Sequence, residues 1–412
     1  MAIETHRGLR LEVTSRSMSG PLVPGRPPRQ VLRYLLTLPA AMVLVMLLVP
    51  MAVTTVTAFD TGGGHGFDNF TAIWTDPGSF HSLVHTVLWV GVALGVALLG
   101  FGLALVSRTV ERWWLAFMIV LVLPFGASSL ASGAAFRLLF DPAPERGTAS
   151  AVVTAAFGHS PIWLGPRLVW IVLVLSFAWT WLGFAVSLFR AGLRAVPSDV
   201  LRRARVEGAG RMRELATTIR MVRPVGSIIL LTLVVAAARV FDLVLIAAPG
   251  PMQDEVDTVA VHWWRLTAET PDDPGRPAAL AVASFCLLGV LALLLSRAIA
   301  RQRTIPKSPP RWWRSRRRDA VARGWSIVVG TLVSLLCAFP VVVLVATALH
   351  SPTDAGAAGW WHAGGGPSLE SVRQSSDAGL VGALVATLAV ALGATSLVMI
   401  VALFAAPALA LS

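Results

Sequence analysis

The sequence predicts an all-α polytopic membrane protein, and three observations carry that prediction. Hydrophobic residues make up 55% of the 412-residue chain and its mean hydropathy is +0.71. Charged residues are only 14%, where soluble domains carry about 25%. The charges are gathered into blocks, and between the blocks lie apolar runs of roughly twenty residues, the length that crosses a bilayer. About eight transmembrane helices follow, near 34–58, 83–106, 115–139, 168–189, 225–248, 278–296, 324–349 and 380–411. The last run is long enough to tilt or to include an interfacial end.

Residues 1–33 form a tail without an apolar targeting core, and the run that follows is longer than a secretory signal, so it reads as an uncleaved first span. Placing the N-terminus in the cytoplasm puts 27 of the 34 Lys and Arg on the inner segments 1–33, 107–114, 190–224 and 297–323. That is the positive-inside bias. The outer loops keep five, namely Arg146, Arg167, Arg265, Arg276 and Arg373, and hold 14 of the 22 acidic residues. Arg137 and Arg239 fall within spans. The net charge of +12 is therefore mostly an orientation signal, and nucleic-acid binding explains it poorly.

Catalytic and metal signals are absent from the sequence. The only lysine, Lys307, follows "RQRTIP", which has no glycine-rich turn to cradle a phosphate. No spaced carboxylates, Ser/His arrangement or metal cluster marks the spans, so neither an enzyme nor a cofactor is expected. His81 and His85 are spaced i, i+4 and can reach one metal, yet no Cys or H-E-x-x-H pattern accompanies them. Interfacial polar residues at a helix end are the ordinary reading. Cys286 and Cys337 both lie inside spans, which excludes a disulfide framework.

Residues 202–224, "RRARVEGAGRMRELATTIRMVRP", form a basic, glycine-broken stretch between two apolar runs. Pro197, Ser198 and Asp199 read as the start of a helix that Gly208 and Gly210 then break. From Met212 the apolar residues Met212, Leu215, Ile219 and Val222 make one stripe of a second short helix, with Arg211, Arg213, Arg220 and Arg223 off it. Such a stripe either packs under the bundle or docks a cytoplasmic partner.

The stretch resembles the cytoplasmic EAA loop of ABC importer permeases, the helix-turn-helix that sits in a cleft of the ATPase. "RRARVEGA" retains Ala204, Gly208 and Ala209, puts Glu207 at the position usually Asp, and carries Arg202 and Arg203 in place of a Glu and an Ala. Leu215 occupies the usual phenylalanine place and Pro224 ends the turn one residue early. The likeness covers 34–303: "GFDNFTAIWTDPGSFHSLVHTVLWV" (66–90) resembles the entry to the six-span core of the sugar-type subfamily. "FGHSPIWLGPRLVWIVLVLSFAWTWLGF" (157–184) and "ARVFDLVLIAAPGP" (238–251) are similar to the segments before and after the loop. Permeases for maltose-like and other oligosaccharides give the closest likeness, and it implies the type I ABC importer permease fold.

Under that resemblance, 34–303 is a first permease half of six spans with its EAA-like loop at 197–224. The segment 304–323 is a basic cytoplasmic linker, with Trp312 and Trp313 suited to lipid headgroups. After it the opening of the chain repeats. "VPMAVTTVTAF" has its counterpart in "FPVVVLVATAL", and each is followed by a Gly-rich outer loop, a short entry segment and another span. Residues 324–412 therefore read as the start of a second half, two spans long. Because that half lacks its own EAA-like loop, the sequence reads as part of a longer two-in-one permease.

Ionisable and aromatic residues within spans are the substrate-path candidates. Arg239 and Asp242 are three apart, close enough on one helix face to pair or to offer a donor and an acceptor to sugar hydroxyls. Trp179 and Trp181 can stack on a sugar ring or simply pack against neighbouring helices. The resemblance implies a permease of the bacterial plasma membrane that imports a carbohydrate by alternating access. Its implied partners are cytoplasmic ABC ATPases, an extracytoplasmic solute-binding protein and a second permease subunit. The alternatives are a degenerate, non-transporting scaffold with the permease fold, and an ABC permease for a non-sugar solute.

Overall fold

A computed structural model describes residues 29–62, 64–109, 114–196, 210–300, 319–351, 359–361 and 367–410. Among them the regular structure is helical, and a single isolated bridge joins Asp60 to His65. The chain divides into two compact units, Met1–Pro50 with Leu384–Ser412, and Met51–Ala383. The first unit holds the early part of α1 (Arg29–Ala58) and most of α14 (Leu380–Ala410). Its described side chains, such as Met46, Leu47, Leu388 and Val390, are apolar and exposed.

The larger unit is built from α2 (Asp68–Thr75), α3 (Pro77–Val106), α4 (Trp114–Val122), α5 (Ser129–Leu139), α6 (Thr148–Phe157), α7 (Val169–Arg194) and α8 (Arg211–Ala238). It continues with α9 (Asp242–Ala247), α10 (Val259–Glu269), α11 (Gly275–Ala300), α12 (Asp319–Ala348) and α13 (Glu370–Asp377). Six helices of the described chain are long and apolar enough to cross a membrane, or seven if α4 and α5 count as one bent span. The remaining expected span, 34–58, is helical from Arg29 to Ala58.

Helices α3, α7 and α8 pack side by side around Trp89, Leu173, Ile229 and Leu233, all fully buried. Lipid tails are as apolar as these side chains, so it is close fit rather than water exclusion that holds the helices together. Ring contacts show the fit: Trp89 meets Phe177 edge-on with centroids 5.3 Å apart. A smaller cluster of Ala58, Ile73, Leu83, Val259 and Leu280 joins the ends of α1 and α2 to α3, α10 and α11. There the Asn69 amide donates to the carbonyls of Ala58 (3.2 Å) and Asp60 (2.7 Å), groups left open where α1 ends.

The structure corrects three sequence expectations. The run 115–139 is not one straight helix, since α4 and α5 meet at 101°. Pro124 starts a tight turn over Leu123–Gly126, Ala127 is extended, and the Ser128 hydroxyl caps α5 by accepting from the Ala131 amide (3.1 Å). The run 225–248 is broken as well: α8 ends at Ala238, Arg239 to Phe241 are irregular, and α9 is a single short helix. Finally, the short helix expected from Met212 is not separate. It runs straight through Pro224 into the bundle as part of the 28-residue α8.

After α12 the order of elements matches that after α1, a long helix, a loop, an eight-residue helix and another long helix. Within the second series, Gly359 donates its amide to the Glu145 carbonyl (2.6 Å) and the Trp360 indole donates to the Thr148 hydroxyl (3.3 Å). The linker 301–318, with Trp312 and Trp313, lies outside the described residues.

Candidate functional site

At one end of the bundle α7 finishes and α8 begins. Arginines gather here, among them Arg108, Arg190, Arg213 and Arg220. Ala204, Glu207, Gly208 and Ala209 lie outside the described residues, whereas Leu215 and Pro224 are both in α8. Glu214 stands in the first turn of α8, where a carboxylate complements the positive end of the helix dipole. Of the expected apolar stripe only Val222 is buried, at 2% exposure. Met212 and Ile219 are 82% and 46% exposed, so this chain leaves the start of the stripe uncovered.

The bend between α4 and α5 is held from α7. Ser132 and Ser176 share a hydrogen bond between their hydroxyls (2.7 Å), and the Thr180 hydroxyl donates to Ser132 Oγ (3.0 Å). All three residues are buried. Gly183 lets the Leu121 carbonyl approach so closely that any Cβ there would collide with it.

The tryptophans assigned to a substrate path behave differently from one another. Trp179 is 6% exposed, and its indole donates to the Cys337 carbonyl of α12 (2.8 Å) while its ring lies 5.7 Å from that of Phe136. It is a packing residue that joins α7 to α12. Trp181 is half-buried and edge-on to Phe125 and Phe184, at 5.3 and 5.7 Å.

Arg239 and Asp242 are not on one helix face. Arg239 ends α8, Asp242 opens α9, both are exposed, and no ion pair joins them. The pairing expected from their spacing fails because the helix stops between them. Both flank the irregular turn, whose Val240 carbonyl accepts from the buried Thr258 hydroxyl (2.6 Å).

The opposite end of the bundle carries a charged network that the sequence reading missed. Asp76 caps α3 by accepting from the Ser79 amide (2.8 Å). His262 of α10 sits between two carboxylates, with Nε2 3.7 Å from Asp76 and Nδ1 3.7 Å from Asp257. Asp257 also binds Arg265 (2.6 Å), which in turn pairs with Asp254. Partial burial works against the Asp76 carboxylate. The Ser79 hydroxyl and amide and the nearby His262 outweigh it, so its pKa lies below the usual value. His85, one of the two histidines weighed as metal ligands, donates from Nδ1 to the Asp257 carbonyl (2.9 Å) and so helps tie α3 to the segment before α10. His81 stacks on it, ring centroids 6.3 Å apart. The only sequence signal for this network was acidic clustering near 254–257.

Arg190 was missed too. It is 3% exposed near the end of α7, and the signal available was a lone arginine directly after the apolar run 168–189.

No family model matches the sequence. Over 270 residues, however, the chain is 27% identical to the sulfoquinovosyl glycerol transport system permease SmoG of Agrobacterium fabrum, covering 63% of this chain and 87% of that protein. Over 266 residues it is 24% identical to the alpha-glucoside transport system permease AglF of Rhizobium meliloti, covering 62% and 78%. Its fold is similar to a chain of a bacterial alginate ABC transporter, solved in complex with an alginate pentasaccharide-bound periplasmic protein. There the TM-score is 0.58 at 18% identity, over 67% of this chain and 96% of that one. By sequence the chain is similar to sugar ABC transporter permeases, and its fold is that of an ABC importer permease.

Proposed function

We propose that this chain is the membrane-spanning component of a carbohydrate importer of the bacterial inner membrane, with its N-terminus in the cytoplasm. It works by alternating access with a solute-binding protein outside and ABC ATPases inside. Relatives it matches include permeases named for sulfoquinovosyl glycerol and alpha-glucoside transport, and a structural neighbour belongs to an importer of the polysaccharide alginate. The single observation that carries the coupling reading is α8. An apolar, arginine-flanked stripe is uncovered at its start, and the same unbroken helix reaches the core at Ile229 and Leu233. An ATPase seated on Met212, Leu215 and Ile219 therefore pushes directly on the bundle.

In this reading 197–224 is the coupling loop, 34–303 the first permease half and 324–412 the start of a second. Arg239 and Asp242 border the path. From Val225 to Ala238 the helix is roughly 21 Å long at about 1.5 Å per residue, short of a hydrocarbon core of roughly 30 Å, so the break falls inside the membrane. Irregular backbone at that depth is tolerated only where it is covered by protein or lines a watery cavity.

Two measurements test the proposal. Deletion of the gene should reduce uptake across a panel of labelled oligosaccharides and glycosyl glycerols; unchanged uptake of every member removes the carbohydrate assignment. Replacing Gly208 by Trp should release the ATPase that co-purifies with the unaltered permease, and retention of that subunit would count against the loop as its dock.

A further inference from the structure

The two helices that carry the coupling loop are clamped together just above it. A side chain at Gly192 of α7 would stand 3.1 Å from Val225 of α8, and one at Gly226 of α8 would stand 3.2 Å from the Phe189 ring of α7. Packing this tight leaves the two stems little freedom to slide, so they move together. The question is what this lever pulls on.

Both stems reach the same place, where Ser107 and Arg108 follow α3 and Trp114 starts α4. From α7, the buried Arg190 donates to the Ser107 carbonyl, one of the open acceptors where α3 ends, and its guanidinium lies 3.8 Å above the Trp114 ring. A cation is favoured there by the negative end of the α3 dipole and by the ring face, which together offset the cost of its burial. From α8, the Glu214 carboxylate lies near enough to Arg108 to favour its charge. Burial drives the Arg108 guanidinium below its usual pKa and Glu214 acts in the opposite sense. The lever thus meets this place from each direction, through Arg190 of α7 and Glu214 of α8, and α4, which begins at Trp114, leads to the 101° bend.

We propose that Arg190 is a positioning residue for coupling. Together with Glu214 of α8 near Arg108, it ties the loop's two stems to Ser107, Arg108 and Trp114, so that ATPase closure displaces the bent pair α4–α5 and not α8 alone. This rests on the reading of 197–224 as the coupling loop. In that arrangement Arg190 touches no substrate and no nucleotide; it hands on a displacement.

The test uses the permease complex with its co-purifying ATPase subunits, reconstituted in proteoliposomes. Cys286 and Cys337 are replaced by Ala, and a reporter thiol is introduced by Ser128→Cys at the bend. Labelling by a membrane-impermeant maleimide is compared with and without MgATP plus orthovanadate, which holds the ATPases closed. In the otherwise unaltered complex the rate should change on vanadate trapping. In Arg190→Met that change should shrink about tenfold, within the roughly 5- to 150-fold range of coupling between distant sites, while the ATPase still co-purifies. Arg190→Lys keeps the charge but not the planar stack on Trp114, and should fall between the two.

A vanadate response in Arg190→Met equal to that of the parent overturns the proposal. If Arg190→Met does not fold, the swap decides: Arg108→Glu and Glu214→Arg should each lose the response, and the double variant should regain it. Failure of the double variant to regain it also overturns the proposal. Loss of the ATPase from the parent complex would instead refute the coupling reading itself, so the two failures are distinct.

Discussion

Trp179→Phe separates the packing role of this residue from a role in sugar binding. The substitution keeps an aromatic ring beside Phe136 but removes the indole N–H that donates to the Cys337 carbonyl at 2.8 Å. That carbonyl lies on α12 one residue after Leu336, whose helical acceptor has no partner because Pro340 carries no N–H. The indole therefore fastens α7 to a weakened turn. A net hydrogen bond is worth about 0.5–1.5 kcal/mol, and the atoms lost between indole and phenyl leave a small void at a site only 6% exposed. The expected cost is about 1–2 kcal/mol, rising to about 3–5 kcal/mol for Trp179→Ala. Thermal unfolding in detergent measures the loss, and uptake per folded molecule measures the function. Trp179→Phe should lower the unfolding temperature without changing the sugar concentration at half-maximal uptake. Unchanged stability with a raised half-saturation concentration would mean that the ring contacts sugar and that this account of Trp179 is wrong.

Three other substitutions probe the helix contacts. Gly183→Val drives a side chain into the Leu121 carbonyl, so it should destabilise by about 1–3 kcal/mol or block assembly of the bent pair, read by expression and thermal unfolding. Ser132→Ala removes both hydroxyl bonds at the bend. The cost should be about 1 kcal/mol, given an average of about 0.6 kcal/mol per interhelical bond in membranes, and it should not add fully to that of Thr180→Val because the two share a partner. For Asp76 the folded pKa is depressed, so its contribution is present above the unfolded value of 3.8 and lost as the pH falls through the folded value. The intact protein should lose stability below about pH 4, and Asp76→Asn, which still caps α3, should flatten part of that slope in unfolding measured across pH.

The sequence displayed the long helices clearly because lipid imposes one rule on all of them: a run without charge, long enough to span. The interruptions were hidden by the same rule. "LPFGASS" contains the proline and serine that bend α4 into α5, yet it sits inside an apolar stretch and does not lower the hydropathy enough to split it. The break after Ala238 has no proline or glycine at all; its only trace is the pair of charges, Arg239 and Asp242, which a helical spacing rule read as a pair. Trp179 and Trp181 are two apart on the same helix, and nothing in the sequence tells which one meets α12. The partner of Trp179 is a backbone carbonyl 158 positions away, a contact that no local pattern encodes.

The break itself is held by distant segments, as an irregular turn at membrane depth would require. Its carbonyls are not left to lipid. Val240 is met by the Thr258 hydroxyl, Leu245 by the Gln253 amide (3.0 Å), and Ile246 by the Arg137 guanidinium of α5 (3.1 Å). These donors come from α5 and from the chain following α9, so the turn is built only when those elements have packed. What the accounting leaves over is two exposed, ionisable side chains, Arg239 and Asp242, with no ion pair between them. Hydrocarbon cannot solvate either one, and no donor or acceptor of the described chain was placed to receive them. Under the proposed function, each therefore needs water or a polar partner at the break that follows α8.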